Sequence, residues 1–189
     1  MSYDPPRPAG RLLLTPEDRE APERVRRLRQ LGVGRHPDPA LDAFADRIAD
    51  MARTPYAMVN FLVENGQVFA GLHAPRTPPA GAGTTPGFAR FQPRDHGFCP
   101  HVAARRRALA LEDVRDYPRF AGNPVVDTYG IRSYLGAPLI DSTGTVLGAV
   151  SAADVTPRPW GRAGLETIKA TAAELMRRIE RSADDGLPL

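Results

Sequence analysis

The sequence contains very little cysteine and no long apolar run. Cys99 is the only cysteine among 189 residues, which excludes an internal disulfide and indicates a reducing compartment. No apolar run is long enough to span a bilayer, and the N-terminus lacks the apolar core of a signal peptide. We therefore expect a cytoplasmic protein with no membrane partner.

Lysine is almost absent as well. Lys169 is the single lysine among 25 basic residues, so the others are arginines, and with 20 prolines they indicate the coding bias of a GC-rich genome. The formal net charge is only +3. Two arginine clusters, within 24–29 and 105–107, lie on or beside predicted helices, and we expect them to face solvent. The sequence therefore predicts no nucleic-acid partner.

Turn formers and apolar periodicity divide the chain into helices and strands. Helix starts are predicted at Thr15, Pro22 and Asp38, and Gly32 and Pro55 end the second and third of these helices. Short helical turns are expected within 95–106 and 116–124. The predicted strands are 56–63, 67–72, 108–112, 134–140 and 146–152, and a last amphipathic helix covers 159–181.

Hairpin connections dominate this order of elements, so we expect an α+β protein with a mostly antiparallel sheet. The terminal helices would cover one face, and the irregular region 73–128 would enclose a pocket on the other. Gly136, Pro138 and Gly148 are unusual in strands and predict a close approach to the backbone or an interrupted strand. The Pro- and Gly-rich connection 73–94 is either a lid over the pocket or a disordered segment.

Four stretches, in this order, resemble the GAF domain. They are GQVFAGL (66–72), GFCPHV (97–102), LEDVRDYPRFAGNPVV (111–126) and GIRSYLGAPLIDSTGTVLGAVSAAD (130–154). Within them, segments 96–99, 116–124 and 130–139 are similar to a bacterial version of the family. The resemblance implies a GAF domain at 22–182, preceded by a disordered segment that can include a short helix at 1–21 and followed by a flexible tail at 183–189.

The resemblance also implies a fold and a range of functions. GAF domains have three layers (α/β/α): an antiparallel sheet of five or six strands, helices on one side and a ligand cavity on the other. Members bind cyclic nucleotides, bilins, haem, iron or small metabolites, and others serve only as dimerisation or partner modules. No stretch outside 22–182 is long enough for an output domain, so signalling in trans to a kinase or regulator is expected. The ligand and any cofactor stay unknown.

Candidate ligand-binding residues come from the resembling segments and from polar positions in the predicted strands. Asn60 is polar within an apolar strand, and Arg119 could either hold an anionic group or pair with Asp116 or Asp113. Asn123 most simply caps a short helix. The full set is Asn60, Phe98, Cys99, His101, Arg119, Phe120, Asn123, Tyr134 and Ser151.

Cys99 is the candidate with the most chemistry. A helix N-terminus and the neighbouring imidazoles of His96 and His101 would lower the pKa of its thiol. It would then be a redox sensor, a haem or iron ligand, or a bilin attachment point. The simpler interpretation is a small buried residue that packs the short helix on the sheet. The spacing of these residues matches no zinc pattern, so no metal site is predicted.

No enzymatic activity is predicted. A single cysteine cannot form the intramolecular disulfide used by the family's methionine sulfoxide reductases, and no other catalytic pattern stands out.

Three hypotheses follow. The first is a stand-alone sensory or regulatory protein that binds a small molecule between the sheet and the short helices. Its mechanism would be ordering of the 73–94 connection, with coupling through the terminal helices, whose apolar stripes could form a homodimer bundle. The second is a structural or dimerisation module in which side chains such as Phe61, Phe88 and Phe98 fill the pocket. The third is a haem-based or thiol-based redox sensor that uses Cys99.

Overall fold

Six strands form one antiparallel sheet in the computed structural model, which describes residues 15–75 and 87–189. The strands are β1 (Tyr56–Val63), β2 (Gly66–His73), β3 (Phe91–Gln92), β4 (Leu109–Leu111), β5 (Ser133–Ile140) and β6 (Val146–Asp154). Their order across the sheet is β3-β2-β1-β6-β5-β4. The helices are α1 (Ala21–Leu31), α2 (Pro39–Ala52), α3 (Cys99–Arg105), α4 (Pro118–Ala121), α5 (Pro124–Tyr129) and α6 (Gly161–Asp185), with a 3₁₀ turn at Val114–Asp116. The α+β prediction, with helices on both sides of the sheet, is confirmed.

Several helix ends follow the capping signals in the sequence. The Asp38 carboxylate accepts a hydrogen bond from the backbone N–H of Ala40, and Gly32 ends α1 in the left-handed conformation. The helix predicted to start at Thr15 does not form, and α1 begins only at Ala21. At the other end of the chain, α6 continues to Asp185 and includes the first residues of the predicted tail.

One face of the sheet carries an aliphatic core covered by α1, α2 and α6. Alternate residues of β1, among them Val59 and Phe61, point to this side and are fully buried. The stripe on α6 that we expected to be available for a dimer packs here, with Ile168, Leu175 and Ile179 each 1% exposed. A homodimer stays a prediction, and it would have to use a different surface.

The opposite face, which we call the pocket face, carries a second core that is richer in aromatic rings. Tyr56 and Met58 of β1 and Tyr134 of β5 point to this side, where α3, α4 and α5 cover them. The central members of this core are Phe69, Phe98, Phe120, Tyr129 and Tyr134. The two faces therefore have different chemistry although the same strands build both.

Two strand glycines permit the close approaches that their positions predicted. A Cβ on Gly148 would lie 1.9 Å from the carbonyl oxygen of Asn60 on the adjacent β1. A Cβ on Gly136 would lie 2.3 Å from the hydroxyl of Tyr134, whose ring extends along its own strand. A larger residue at position 148 would collide with the backbone of Asn60, and one at position 136 would displace the ring of Tyr134.

The arginine cluster on α1 was predicted to face solvent, but two of its members form ion pairs within the protein. Arg24 is 2% exposed and forms an ion pair with Asp18, and its guanidinium also donates to the carbonyl of Val146. Arg27 of the same helix pairs with the buried Asp141 in the β5–β6 turn. These contacts attach α1 and the residues before it to the sheet.

The connection 73–94 is only partly within the described residues. Its last part contains β3, an edge strand that pairs with β2 and was not predicted. The proposed lid or disordered segment falls mostly on residues 76–86, which lie outside the described residues. Within the described part of the chain, no helix combines the length and apolar character needed to cross a membrane.

Candidate functional site

A small cavity lies on the pocket face, between the central strands, α3, α5 and the segment 87–92. Its volume is about 30 Å³, which is room for roughly one water molecule. The residues that line it are Met58, Gln67, Phe69, Phe88, Gln92, Gly97, Phe98, Cys99, Val125, Ile131, Tyr134 and Ala153. Three of the nine predicted site residues, Phe98, Cys99 and Tyr134, are among them.

Gln92 of β3 brings an unpaired polar atom to this cavity. Its side chain is almost fully buried, and its Nε2 donates to the carbonyl of Ala89 at 3.2 Å. Its Oε1 has no hydrogen-bond partner among the residues that the structure describes. A buried acceptor that is left unpaired costs free energy, so this atom is a point where the lining can accept a hydrogen bond from a bound group.

Gln67 of β2, in contrast, has all its polar atoms paired. Its Oε1 accepts from Nδ2 of Asn60 at 2.7 Å, and its Nε2 donates to the carbonyls of Pro93 and His96. The Oδ1 of Asn60 accepts from the backbone N–H of Ala149 at 3.1 Å. Asn60 is thus a buried link between strands, and Gln67 fixes the chain that leads from β3 to α3.

Cys99, Tyr134 and Ser151 form a buried polar group against the cavity wall. The Sγ of Cys99 lies 3.3 Å from the hydroxyl of Tyr134 and 3.8 Å from the hydroxyl of Ser151. Burial raises the pKa of the Cys99 thiol, and the hydrogen bonds from Tyr134 and Ser151 only partly oppose this. Burial also raises the pKa of Tyr134 well above its ordinary value. The expected low thiol pKa is therefore wrong, because desolvation outweighs the nearby helix start.

Phe88 occupies most of the space on the outer side of the cavity. Its ring stacks on Tyr129 with centroids 4.6 Å apart, meets Phe69 edge-on at 5.1 Å and lies 5.9 Å from Tyr56. Phe88 is only partly buried, and the residue before it, Gly87, is exposed. The ring therefore fills an aromatic recess from the solvent side.

Asn123 has a positioning role. Its Oδ1 accepts from the backbone N–H groups of Val125 and Gly97, at 3.2 and 2.8 Å, and its Nδ2 donates to the carbonyl of Gly97 at 2.9 Å. It therefore caps α5, as predicted, and holds the turn before α3 against it.

The remaining predicted residues, His101, Arg119 and Phe120, also lie outside the cavity lining. His101 and Phe120 are buried side by side, with their rings edge-on at 5.1 Å. Burial lowers the pKa of His101 to about 4, and the positive charges of Arg119 and Arg105 add to this effect. Arg119 itself is exposed, and its guanidinium lies 5.8 Å from the ring centroid of Phe120. The carboxylate of Asp113 pairs with Arg132 rather than with Arg119.

Sequence reasoning missed the two glutamines and the aromatic recess. Gln67 follows a strong hairpin turn, and its place in a buried strand was a signal like that of Asn60. Gln92 had no such signal, because β3 is a two-residue strand after a Pro- and Gly-rich stretch. Among the described residues, no group of three or more His, Cys, Asp or Glu side chains is arranged to hold a metal ion.

The fold is that of a small α+β domain with an antiparallel sheet between two helical layers. The family model of the GAF domain matches residues 36–179. The match covers most of the chain, so the chain belongs to the GAF domain family, whose members are sensory, ligand-binding modules. A search of curated protein sequences finds no significant match.

Solved structures with the same fold include sensor domains and enzymes. The chain is similar to the GAF domain of a phosphoenolpyruvate-protein phosphotransferase from Acinetobacter, with 17% identity, a TM-score of 0.59, and coverage of 90% of this chain and 99% of that one. It is similar to a Burkholderia vietnamiensis protein described as a GAF sensor, with 16% identity, a TM-score of 0.56, and coverage of 90% and 96%.

The free methionine-R-sulfoxide reductase of Neisseria meningitidis, solved with its substrate, has 18% identity, a TM-score of 0.59, and coverage of 77% of this chain and 78% of the enzyme. At these identities the similarities show the fold alone.

Proposed function

We propose that this protein is a sensory GAF module that binds a small molecule in the cavity. It would pass the bound state to a partner protein through residues 15–20, which precede α1 and which we call the N-terminal segment. One observation carries the proposal: the strand that brings Gln92 to the cavity continues, two residues later, into Arg94, which is bound to the N-terminal segment. Ligand binding at Gln92 would therefore act on the residues that precede α1.

The contacts of Arg94 support this coupling. Its guanidinium donates to the carbonyl of Pro16 at 3.0 Å and lies 3.2 Å from the carboxylate of Asp18. Asp18 also pairs with the buried Arg24 of α1. A shift of β3 on ligand binding would change a charge cluster shared by the cavity strand and the first helix, which gives the site a physical route to a surface.

The partner is proposed to be a separate polypeptide such as a kinase or a regulator. The outward side of α6 carries Arg162, Arg177 and Arg181, all exposed. Together with the N-terminal segment, this charged surface suits a reversible contact better than a permanent apolar interface.

Native mass spectrometry of the protein purified from its own host tests the proposal most directly. An added mass on the folded species is the expected result, and it would give the size and stoichiometry of the ligand. The coupling is tested by hydrogen exchange of residues 15–31 with and without that ligand, in the wild type and in Arg94→Met. Ligand-dependent protection should be present in the wild type and reduced in the variant. A bare mass together with no thermal shift from any metabolite would overturn the sensor.

A second function, a structural interaction module, is favoured by the small size of the cavity. Phe88 and Phe98 fill much of the pocket, as that hypothesis required, whereas Phe61 packs on the opposite face. A bare mass on a specific dimer or hetero-complex would support this module over the sensor.

Neither redox chemistry nor haem binding gains support from the site. The cavity of about 30 Å³ has no room for a macrocycle, and the neutral thiol of Cys99 is a poor nucleophile. We therefore propose that the protein has no reductase activity. Incubation with free methionine sulfoxide and dithiothreitol should give no methionine above a Cys99→Ala control.

A further inference from the structure

The lining of the cavity carries no formal charge. Its polar side chains are two glutamines, one thiol and one phenol, and the rest are aromatic, aliphatic or methionine side chains. The thiol and the phenol stay neutral because burial raises both pKa values. Since an unpaired charge is costly in such surroundings, the lining selects against nucleotides, carboxylates and amines.

The hydrogen-bonding capacity of the lining is almost fully used. Both ends of the Gln67 amide are bonded, and the Tyr134 hydroxyl contacts Cys99. The Oε1 of Gln92 is the exception, because it is buried and has no partner within 15–75 and 87–189. The site therefore has one available hydrogen-bond acceptor, which a ligand would satisfy with one N–H or O–H donor.

The shape of the recess around Phe88 indicates a flat occupant. A phenyl ring already fits between Tyr129, which stacks on it, and Phe69, which meets it edge-on. Phe88 is the most solvent-accessible of these rings, and the residue before it is the exposed Gly87, which has no side chain to restrict the backbone on that side. If the ring swings outward, its space joins the cavity that Gln92 lines.

We propose that the site takes an uncharged, flat aromatic molecule with a single N–H or O–H donor, the class that includes indole and phenol. The ligand replaces the ring of Phe88 against Tyr129 and Phe69, and its donor binds the Oε1 of Gln92. This inference rests on the proposed function of the cavity as the ligand site, and it names the class of ligand.

Two probes that differ only at the donor give the sharpest test. Indole has the N–H, and 1-methylindole has the same ring system without it. Calorimetry on the wild-type chain should give saturable binding of indole and at least about tenfold weaker binding of 1-methylindole, because the methyl group leaves the Gln92 oxygen unpaired. Equal affinity for the two probes would overturn the donor requirement.

Variants assign the effect to the two residues. Phe88→Ala should bind indole more tightly, by about tenfold, because the ring no longer competes for the recess. Gln92→Leu and Gln92→Met should bind both probes alike. Phe61→Leu, which opens space on the opposite face, should leave the preference for indole unchanged. A preference for indole that survives both Gln92 variants would place the site elsewhere.

Failure of this inference is distinguishable from failure of the proposed function. If neither probe binds the wild type or Phe88→Ala, but native mass spectrometry finds another bound molecule, the ligand class is wrong and the sensor stands. If no probe binds, the mass is bare and no metabolite gives a thermal shift, both proposals fail.

Discussion

The two faces of the sheet are packed in different ways. On the helix face, β1 contributes Ala57, Val59 and Phe61 to an aliphatic core that three long helices cover. On the pocket face, the same strand contributes Tyr56, Met58 and the buried Asn60, which short helices and loops cover. The difference indicates that the helix face supplies most of the stability, so the pocket face can retain a cavity and an unpaired acceptor.

Deletion of one phenyl ring on each face should give the largest difference in the free energy of unfolding between the two faces. Phe61→Ala should lower the free energy of unfolding by about 3–5 kcal/mol, because a fully buried ring leaves a cavity in the aliphatic core. Phe88→Ala should lower it by only about 1 kcal/mol, because its ring is partly exposed. Urea unfolding of both variants measures the difference, and equal losses would contradict the division of roles.

The ion pair that holds the N-terminal segment to the helix face should give the next largest effect. Asp18→Asn leaves the buried Arg24 with only the carboxylate of Glu20, 3.9 Å away and partly exposed, and should cost about 3 kcal/mol. Burial raises the pKa of Asp18, but the hydrogen bond and charge of Arg24 and the charge of Arg94 outweigh it, so the net pKa is lowered. This contribution is therefore present above the ordinary carboxyl pKa of 3.8 and is lost as the pH falls through the lower native value.

The matched control is Glu17→Gln. Glu17 pairs with Arg19 on the surface, where both side chains are more than three-quarters exposed, so its loss should cost less than about 0.5 kcal/mol. A similar cost for both substitutions would show that the Asp18 pair is no more important than a surface pair.

The sequence predicts the helix face better than the pocket face for a physical reason. Apolar periodicity, the Asp38 cap and the strand hairpins are local signals, and they predicted α2, α6 and the central strands to within a few residues. Burial of Arg24 was not predictable, because its partner is six residues away in a non-helical segment and its other contact is the carbonyl of Val146.

The site was predictable only in its central part. Cys99 and Tyr134 lie together at the cavity, because the motifs that carried the family resemblance also build its wall. Gln92 and the recess around Phe88 depend on how β3 pairs with β2, and no local pattern encodes that pairing. The sequence did not show which side of the four-residue α4 faces inward: Phe120 is its buried residue and Arg119 is exposed, and neither lines the cavity.

The pH dependence of the free energy of unfolding should contain a contribution from the buried His101 beside the pocket-face core. The native pKa of His101 is about 4 and the ordinary value is 6.5, so the unfolded chain binds a proton that the native state excludes. Stability should be constant above pH 6.5 and should fall, by on the order of 2 kcal/mol, as the pH decreases toward 4. His101→Phe should flatten this part of the profile in urea unfolding, whereas replacement of the exposed His36 by Gln should retain it.

The smallest expected effect comes from Arg119, which the sequence offered as an anion-binding residue. Arg119→Ala removes an exposed side chain that lies beside the edge of the pocket-face core, so stability should change by less than about 0.5 kcal/mol. The pKa of His101 should rise, because the positive charge of Arg119 helps to lower it, and the imidazole proton shifts in NMR report this directly. The affinity for indole should not change, since the cavity lining does not include Arg119. A loss of ligand binding in this variant would mean that the site extends to the surface of α4 and recognises a charged group, so the pocket face would no longer be a neutral aromatic site.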